Sequence, residues 1–129
     1  MIPYFDPSAT WEPYREEIED AIGRVLASGT LILGHEVEAF ETEFAAYVGA
    51  RYAVGVGTGT DALILALRSQ GIGEGTEVIT VGNAGVPPIA AIRAAGAMPC
   101  LVDVDPKTLL MDIRQLEGAR TPRTRAILP

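Results

Sequence analysis

Ile18, Ile22, Val25 and Leu26 recur at spacings of four, seven and eight, which predicts an amphipathic helix over residues 11–28. Ser28-Gly29 closes it, and the apolar connection Thr30-Leu31-Ile32-Leu33-Gly34 leads into a second helix carrying Val37, Phe40, Phe44, Tyr47 and Val48 on one side. Gly49 is placed to cap that helix at its C-terminus. From residue 51 the texture changes to short β-branched runs at 52–56, 77–81, 98–104 and 125–128, each separated by glycine or proline from a helical stretch. The intervening helices fall at 60–70, from Pro87 or Pro88 to Ala95, and at 113–116. A proline in a first helical turn is tolerated because its missing N–H would have had no partner there. The order is two helices over 11–48 and then βαβαβαβ over 51–129, an α/β fold with a mainly parallel sheet flanked by helices. The last strand stops at Pro129, where the loop at a strand's carboxyl end would begin. Residues 1–129 therefore read as one incomplete unit with no linker and no internal repeat.

Composition narrows the class. With 129 residues, 48% of them hydrophobic, the chain has material for a core, which excludes disorder as the default. Cys100 is the single cysteine, so no internal disulfide can form, and a cytoplasmic location is the simpler expectation. Neither a signal peptide nor an apolar run near the ~20 residues of a membrane span is visible. The net charge of −7 argues against nucleic acid as a partner. Residues 1–50 hold ten acids and two arginines, so the acidity belongs to the outer faces of the first two helices.

The strongest chemical signal is Gly55-Val56-Gly57-Thr58-Gly59-Thr60-Asp61-Ala62, a strand turning through glycines into a helix N-terminus. Free N–H groups and the positive end of the helix dipole make such a turn a phosphate cradle. It can equally be a self-sufficient turn capped by Thr58 or Thr60, with Asp61 satisfying the dipole. Gly57-x-Gly59-x-x-Ala62 also fits a relaxed dinucleotide fingerprint. The acid that fingerprint needs would have to be Glu77, which precedes its strand and so lies at the wrong end to reach a ribose. A mononucleotide P-loop is excluded, because no Gly-Lys-Ser or Gly-Lys-Thr follows.

Taken in order, several segments resemble the DegT/StrS-type nucleotide-sugar aminotransferases, which use pyridoxal phosphate on the aspartate-aminotransferase fold. They are Ile2-Pro3-Tyr4, Gly34-His35-Glu36-Val37 with Phe40-Glu41, Gly57-Thr58-Gly59-Thr60-Asp61-Ala62-Leu63, Glu77-Val78-Ile79 and Val102-Asp103-Val104-Asp105-Pro106. The resemblance implies that this chain is the N-terminal part of that fold's large domain, with the cofactor phosphate on the amides of Gly59, Thr60 and Asp61. It further implies that Asn83 and Gly85 line the ring pocket, and that Tyr4 and Leu31 border the sugar pocket. The substrates would be a nucleotide-sugar and an amino-acid donor, and the full-length protein a homodimer.

Two departures stand out. Gly85 occupies the place where the family usually carries an aromatic residue against the pyridine ring. Lys107 is the chain's one lysine and sits in the polar turn Asp105-Pro106-Lys107-Thr108, whereas the chemistry needs a Schiff-base lysine and a carboxylate on the pyridinium nitrogen. Both are expected beyond residue 129, so no catalytic residue is assigned here and the chain alone is expected to be inactive. A dehydratase variant of the family, with histidine for the lysine, stays open. Among other residues, His35 reads as a surface or capping residue, Trp11 as packing, Cys100 as a small buried hydrophobe, and Asp103 and Asp105 as turn formers rather than metal ligands. Two alternatives remain open: a dinucleotide-binding α/β domain using the same glycine turn, and an inert or associating fragment with an exposed sheet edge.

Overall fold

A computed structural model describes residues 4–129, so Ile2 and Pro3 of the first family segment lie outside the described residues. The chain divides into two compact units, one running to Gly55 and the other Val56–Pro129.

The first unit is helical. A short helix α1 (Ser8–Trp11) and a 3-10 turn (Glu12–Tyr14) precede α2 (Arg15–Ser28), so the single helix expected over 11–28 is interrupted at Pro13. Proline has no N–H to continue an α ladder and re-enters helix only in a first turn. Helix α3 (His35–Val48) follows, and Gly49 caps it in the left-handed conformation the sequence indicates. The apolar stripes form as expected, but among the described residues of this unit only Ala45 is buried. Phe40 and Phe44 stack on each other with ring centroids 5.5 Å apart, and Tyr47 continues the row at 6.4 Å.

The second unit contains helix α4 (Gly59–Ser69), strand β1 (Glu77–Val81), a 3-10 turn (Gly82–Ala84), helix α5 (Val86–Ala95) and strand β2 (Met98–Val102). A second 3-10 turn (Ile113–Gln115), the short helix α6 (Leu116–Ala119) and strand β3 (Thr124–Leu128) complete it. All three strands are parallel in the order β2-β1-β3. Central β1 is buried along its whole length, because helices or loops cover both of its faces. Val78 packs with Leu67, Ile72 and Ile92 on the side of α4 and α5. Ile79 and Val81 pack with Val102, Met111 and Leu116 on the other side. Half-buried Cys100 joins this second cluster.

The strand expected over 52–56 is not formed. A strand exists only where a neighbour completes its ladder, and no described strand pairs with this segment. The segment carries no assigned secondary structure, Tyr52 and Val54 are exposed, and the Gly55 N–H donates to the Glu41 carboxylate (2.6 Å). No helix among the described residues is long and apolar enough to cross a membrane.

Candidate cofactor site

Parallel connectivity decides where the helices begin. Helix α5 leaves the carboxyl end of β1 and returns to the start of β2, whose Met98 pairs with Glu77 at the amino end of β1. Helix α4 ends at Ser69, shortly before that same amino end, and packs along α5. The two helices finish side by side, since Arg68 Nη2 in the last turn of α4 donates to the Ala94 carbonyl in the last turn of α5 (2.7 Å). Both therefore start at the carboxyl edge of the sheet, where ligands of open α/β sheets are held.

At the start of α4, Thr58 is the N-cap. Its hydroxyl oxygen accepts the Asp61 N–H (3.0 Å) and its O–H donates to Asp61 Oδ2 (2.9 Å). The turn thus caps itself as one sequence reading anticipates, yet the caps consume only part of its donors. Gly59 and Thr60 occupy the first turn, where a helix supplies no acceptor for its N–H groups. A Cβ placed on Gly59 would meet no atom within 4 Å, so no neighbouring side chain crowds the first helical position. By contrast, a Cβ on Gly57 would come within 3.0 Å of Asp61 Oδ2, so a side chain there would have to displace the carboxylate that caps the turn. A phosphoryl group fits this arrangement on the Gly59 and Thr60 amides. The Asp61 amide, the third donor implied by the resemblance, is already engaged by Thr58.

Asn83 and Gly85 lie at the same edge of the sheet, in the turn between β1 and α5. The Asn83 side-chain amide donates to the Leu109 carbonyl (3.0 Å), fastening the 103–112 loop, a role with no signal in a sequence where the partners are 26 residues apart. Gly85 has φ +80° and ψ −163°, a backbone region essentially restricted to glycine. This gives a backbone reason for glycine where the resemblance leads one to expect an aromatic side chain. Tyr4 and Leu31 belong to the first unit and are both exposed. Leu31 lines a pocket of about 180 Å³ with Arg24, Val25 and Glu36, the Arg24 and Glu36 side chains being paired at 2.7 Å.

Asp105 and Glu77 hold structure. Exposed Lys107 is in a turn whose Asp105 Oδ1 accepts the N–H groups of Lys107 and Thr108. Glu77, the acid a dinucleotide site would need, is buried at the opposite, amino end of β1. Hydrogen bonds from Thr121 and then Arg123 lower its pKa below the usual range. It is therefore committed to tying β3 to β1 and faces away from the carboxyl edge. Sequence reasoning placed Glu77 at the correct end but could not see these partners, more than forty residues away.

Over residues 13–129 the chain matches the DegT/DnrJ/EryC1/StrS aminotransferase family. It is 50% identical over 119 residues to the dTDP-3-amino-3,4,6-trideoxy-alpha-D-glucose transaminase of Micromonospora megalomicea subsp. nigra, covering 92% of this chain and 32% of that protein. It is 46% identical to the dTDP-3-amino-3,6-dideoxy-alpha-D-galactopyranose transaminase of Aneurinibacillus thermoaerophilus, covering 99% of this chain and 35% of that protein. The crystal structure of S. venezuelae DesV in complex with a ketimine intermediate superposes with a TM-score of 0.94 at 47% identity, covering 99% of this chain and 34% of that one. A Brucella abortus aminotransferase of the same family does so with a TM-score of 0.89 at 31% identity, covering 98% and 36%. The chain spans about a third of the length of these relatives, and its fold is that of the N-terminal part of such aminotransferases. With the family model matched over residues 13–129 and relatives identical at 46–50% over nearly the whole of this chain, the chain belongs to the DegT/DnrJ/EryC1/StrS aminotransferases.

Proposed function

We propose that residues 1–129 are the phosphate-binding portion of a pyridoxal-phosphate-dependent aminotransferase that moves an amino group from glutamate to a keto group on a nucleotide-linked sugar. The observation that carries this reading is the pair of free amides at Gly59 and Thr60 in a chain of this family. In the full-length protein the cofactor supplies the carbonyl that exchanges amines and the electron sink for the proton shifts. The residues of this chain bind and orient. Gly59 and Thr60 donate N–H groups to the phosphate, the positive end of α4 favours its charge, and Thr58 holds the first turn in shape. Asn83 keeps the 103–112 loop at the same edge. Lys107 is turned into an exposed loop and takes no part, so these residues alone carry no amine exchange.

Tyr4 and Leu31 are proposed sugar contacts, and the full-length protein is proposed to be a cytoplasmic homodimer. The names of the relatives support the nucleotide-sugar substrate, and the single cysteine supports a reducing compartment.

The test is a titration of the protein with pyridoxal phosphate, pyridoxal and a nicotinamide dinucleotide, read by near-UV circular dichroism. Binding that requires the phosphate and is lost in Gly59→Val supports the reading. Preference for the dinucleotide, or equal binding of pyridoxal, overturns it.

A further inference from the structure

Gly55 stands two residues before Gly57 and four before Gly59, so whatever holds Gly55 limits where the glycine turn can begin. Among the described residues the backbone of 52–57 is held by one hydrogen bond, from the Gly55 N–H to Glu41 Oε1 of α3 (2.6 Å). Val37 and Glu41 are one helical turn apart, which puts them on one face of α3, and both are half-buried. A Cβ placed on Gly55 would lie 3.3 Å from Glu41 Oε1 and 3.6 Å from Val37 Cγ1, so the backbone at Gly55 rests directly against that face. A bond to an ionised carboxylate is among the stronger ones that a backbone N–H makes. Thr58 ties the start of α4 to Asp61, but it does not hold the residues before it. Without Glu41, a stretch with glycine at 55, 57 and 59 and no ladder partner among the described strands would sample many conformations, including ones that fold over the start of α4.

We propose that Glu41 is a positioning residue for the phosphate site: by holding Gly55 against α3, it keeps the approach to the turn in a conformation that leaves the Gly59 and Thr60 amides accessible. This rests on the proposed phosphate site. Glu41 acts through Gly55 rather than by touching the ligand, and what it contributes is preorganisation. If the approach is correctly set in only a fraction of the molecules, the apparent affinity falls by that fraction. The loss bears on the phosphate, because the phosphate is the group that rests on these two amides. The bond needs an acceptor oxygen at this place on α3, and it does not need the charge.

The experiment measures the affinities of pyridoxal phosphate and of pyridoxal by near-UV circular dichroism for the wild type, Glu41→Ala, Glu41→Asp and Glu41→Gln, with far-UV circular dichroism checking the fold. Glu41→Ala removes the acceptor. Glu41→Asp keeps the charge but draws the oxygens back by one carbon, and Glu41→Gln keeps an acceptor oxygen in place without the charge. The expected result is a fall of about three- to tenfold in the ratio of the pyridoxal phosphate affinity to the pyridoxal affinity for Glu41→Ala and Glu41→Asp, with Glu41→Gln close to the wild type. A merely structural role would weaken both ligands alike and leave the ratio unchanged. Should Glu41→Ala fail to fold, Glu41→Asp decides alone. An unchanged ratio in a folded Glu41→Ala or Glu41→Asp, or a Glu41→Gln that falls as far as they do, overturns the inference while leaving the phosphate site intact. If the wild type binds pyridoxal as well as pyridoxal phosphate, the phosphate site itself falls and the inference with it.

Discussion

The two units of this chain solve the same problem to different degrees. In the unit that starts at Val56, β1 is buried end to end and its alternate side chains enter two separate clusters. In the unit that ends at Gly55, two fourteen-residue helices carry well-formed apolar stripes, yet Tyr47 is 87% exposed, Phe40 and Phe44 are exposed, and Ala45 alone among the described residues is buried. Helices of this length are marginal in water without packing, and what supports these is local. Arg15 pairs with Glu12 and Glu19, Arg24 pairs with Glu36, and Phe40 stacks on Phe44. Periodicity therefore reports which face of a helix is apolar, not whether that face is covered. The free amides belong to the unit with the core, which is what a site that must hold an anion at fixed distance needs.

The largest expected difference between the units comes from truncating one side chain in each. Ile92→Ala removes a fully buried side chain from the first cluster and should cost about 3 kcal/mol. Phe44→Ala, at an exposed position, should cost well under about 1 kcal/mol. Hydrogen exchange on both variants locates the loss, which should fall within 77–102 for Ile92→Ala. Equal costs would mean that the aromatic row of α3 is covered after all.

Glycine-to-alanine changes should have opposite signs in the two units. Gly85→Ala forces a side chain into φ +80° and should destabilise by about 1–2 kcal/mol, read as a lower urea midpoint. Gly23→Ala lies inside α2, where an added Cβ meets no atom within 4 Å, and should stabilise by up to about 1 kcal/mol through helix propensity. A stabilising Gly85→Ala would contradict the backbone reason given for glycine at that position.

Much of this was legible in the sequence where the signal is local. Periodicity located α3, the run 77–81 is β1 to the residue, and the proline pair marked the first turn of α5. The glycine turn before Asp61 was legible both as a cradle and as a self-capped turn, and the structure combines the two, with Thr58 closing on Asp61 while Gly59 and Thr60 stay open. What could not be read depends on partners distant in sequence. The segment 52–56 has strand composition but pairs with no described strand. Asn83 looks like a ring-facing amide and holds the Leu109 carbonyl, and Glu77 finds Thr121 and Arg123 across the sheet.

A smaller effect concerns Thr80, whose Oγ1 is fully buried and has no hydrogen-bond partner among the described residues. An orphaned hydroxyl in a core carries its desolvation cost with no return, and valine has the same shape without the polar atom. Thr80→Val should therefore raise stability by about 1 kcal/mol, visible as a higher melting temperature. A drop in melting temperature would show that the hydroxyl has a partner. Loss of pyridoxal phosphate binding without a drop would assign that partner to the ligand.

Near neutral pH the smallest effect is that of acidity, which emerges only on titration. The Asp112 carboxylate accepts hydrogen bonds from the Arg114 guanidinium and then from Gln115, which hold its pKa at about 2 against the usual 3.8. Thr121 and Arg123 likewise lower that of Glu77. A folded-state pKa below the unfolded value means that the unfolded chain takes up protons first as the pH falls. The stabilisation is complete above the unfolded-state values, near pH 4–5, and is lost as the pH drops toward 2. The second unit should accordingly show a urea midpoint that is flat from neutral to about pH 5 and declines below it. Asp112→Asn should start lower at neutral pH and flatten the decline between about pH 4 and 2, since a group that cannot titrate contributes no slope. A variant with the wild-type slope in that window would mean that Asp112 is not held by Arg114 and Gln115 in solution.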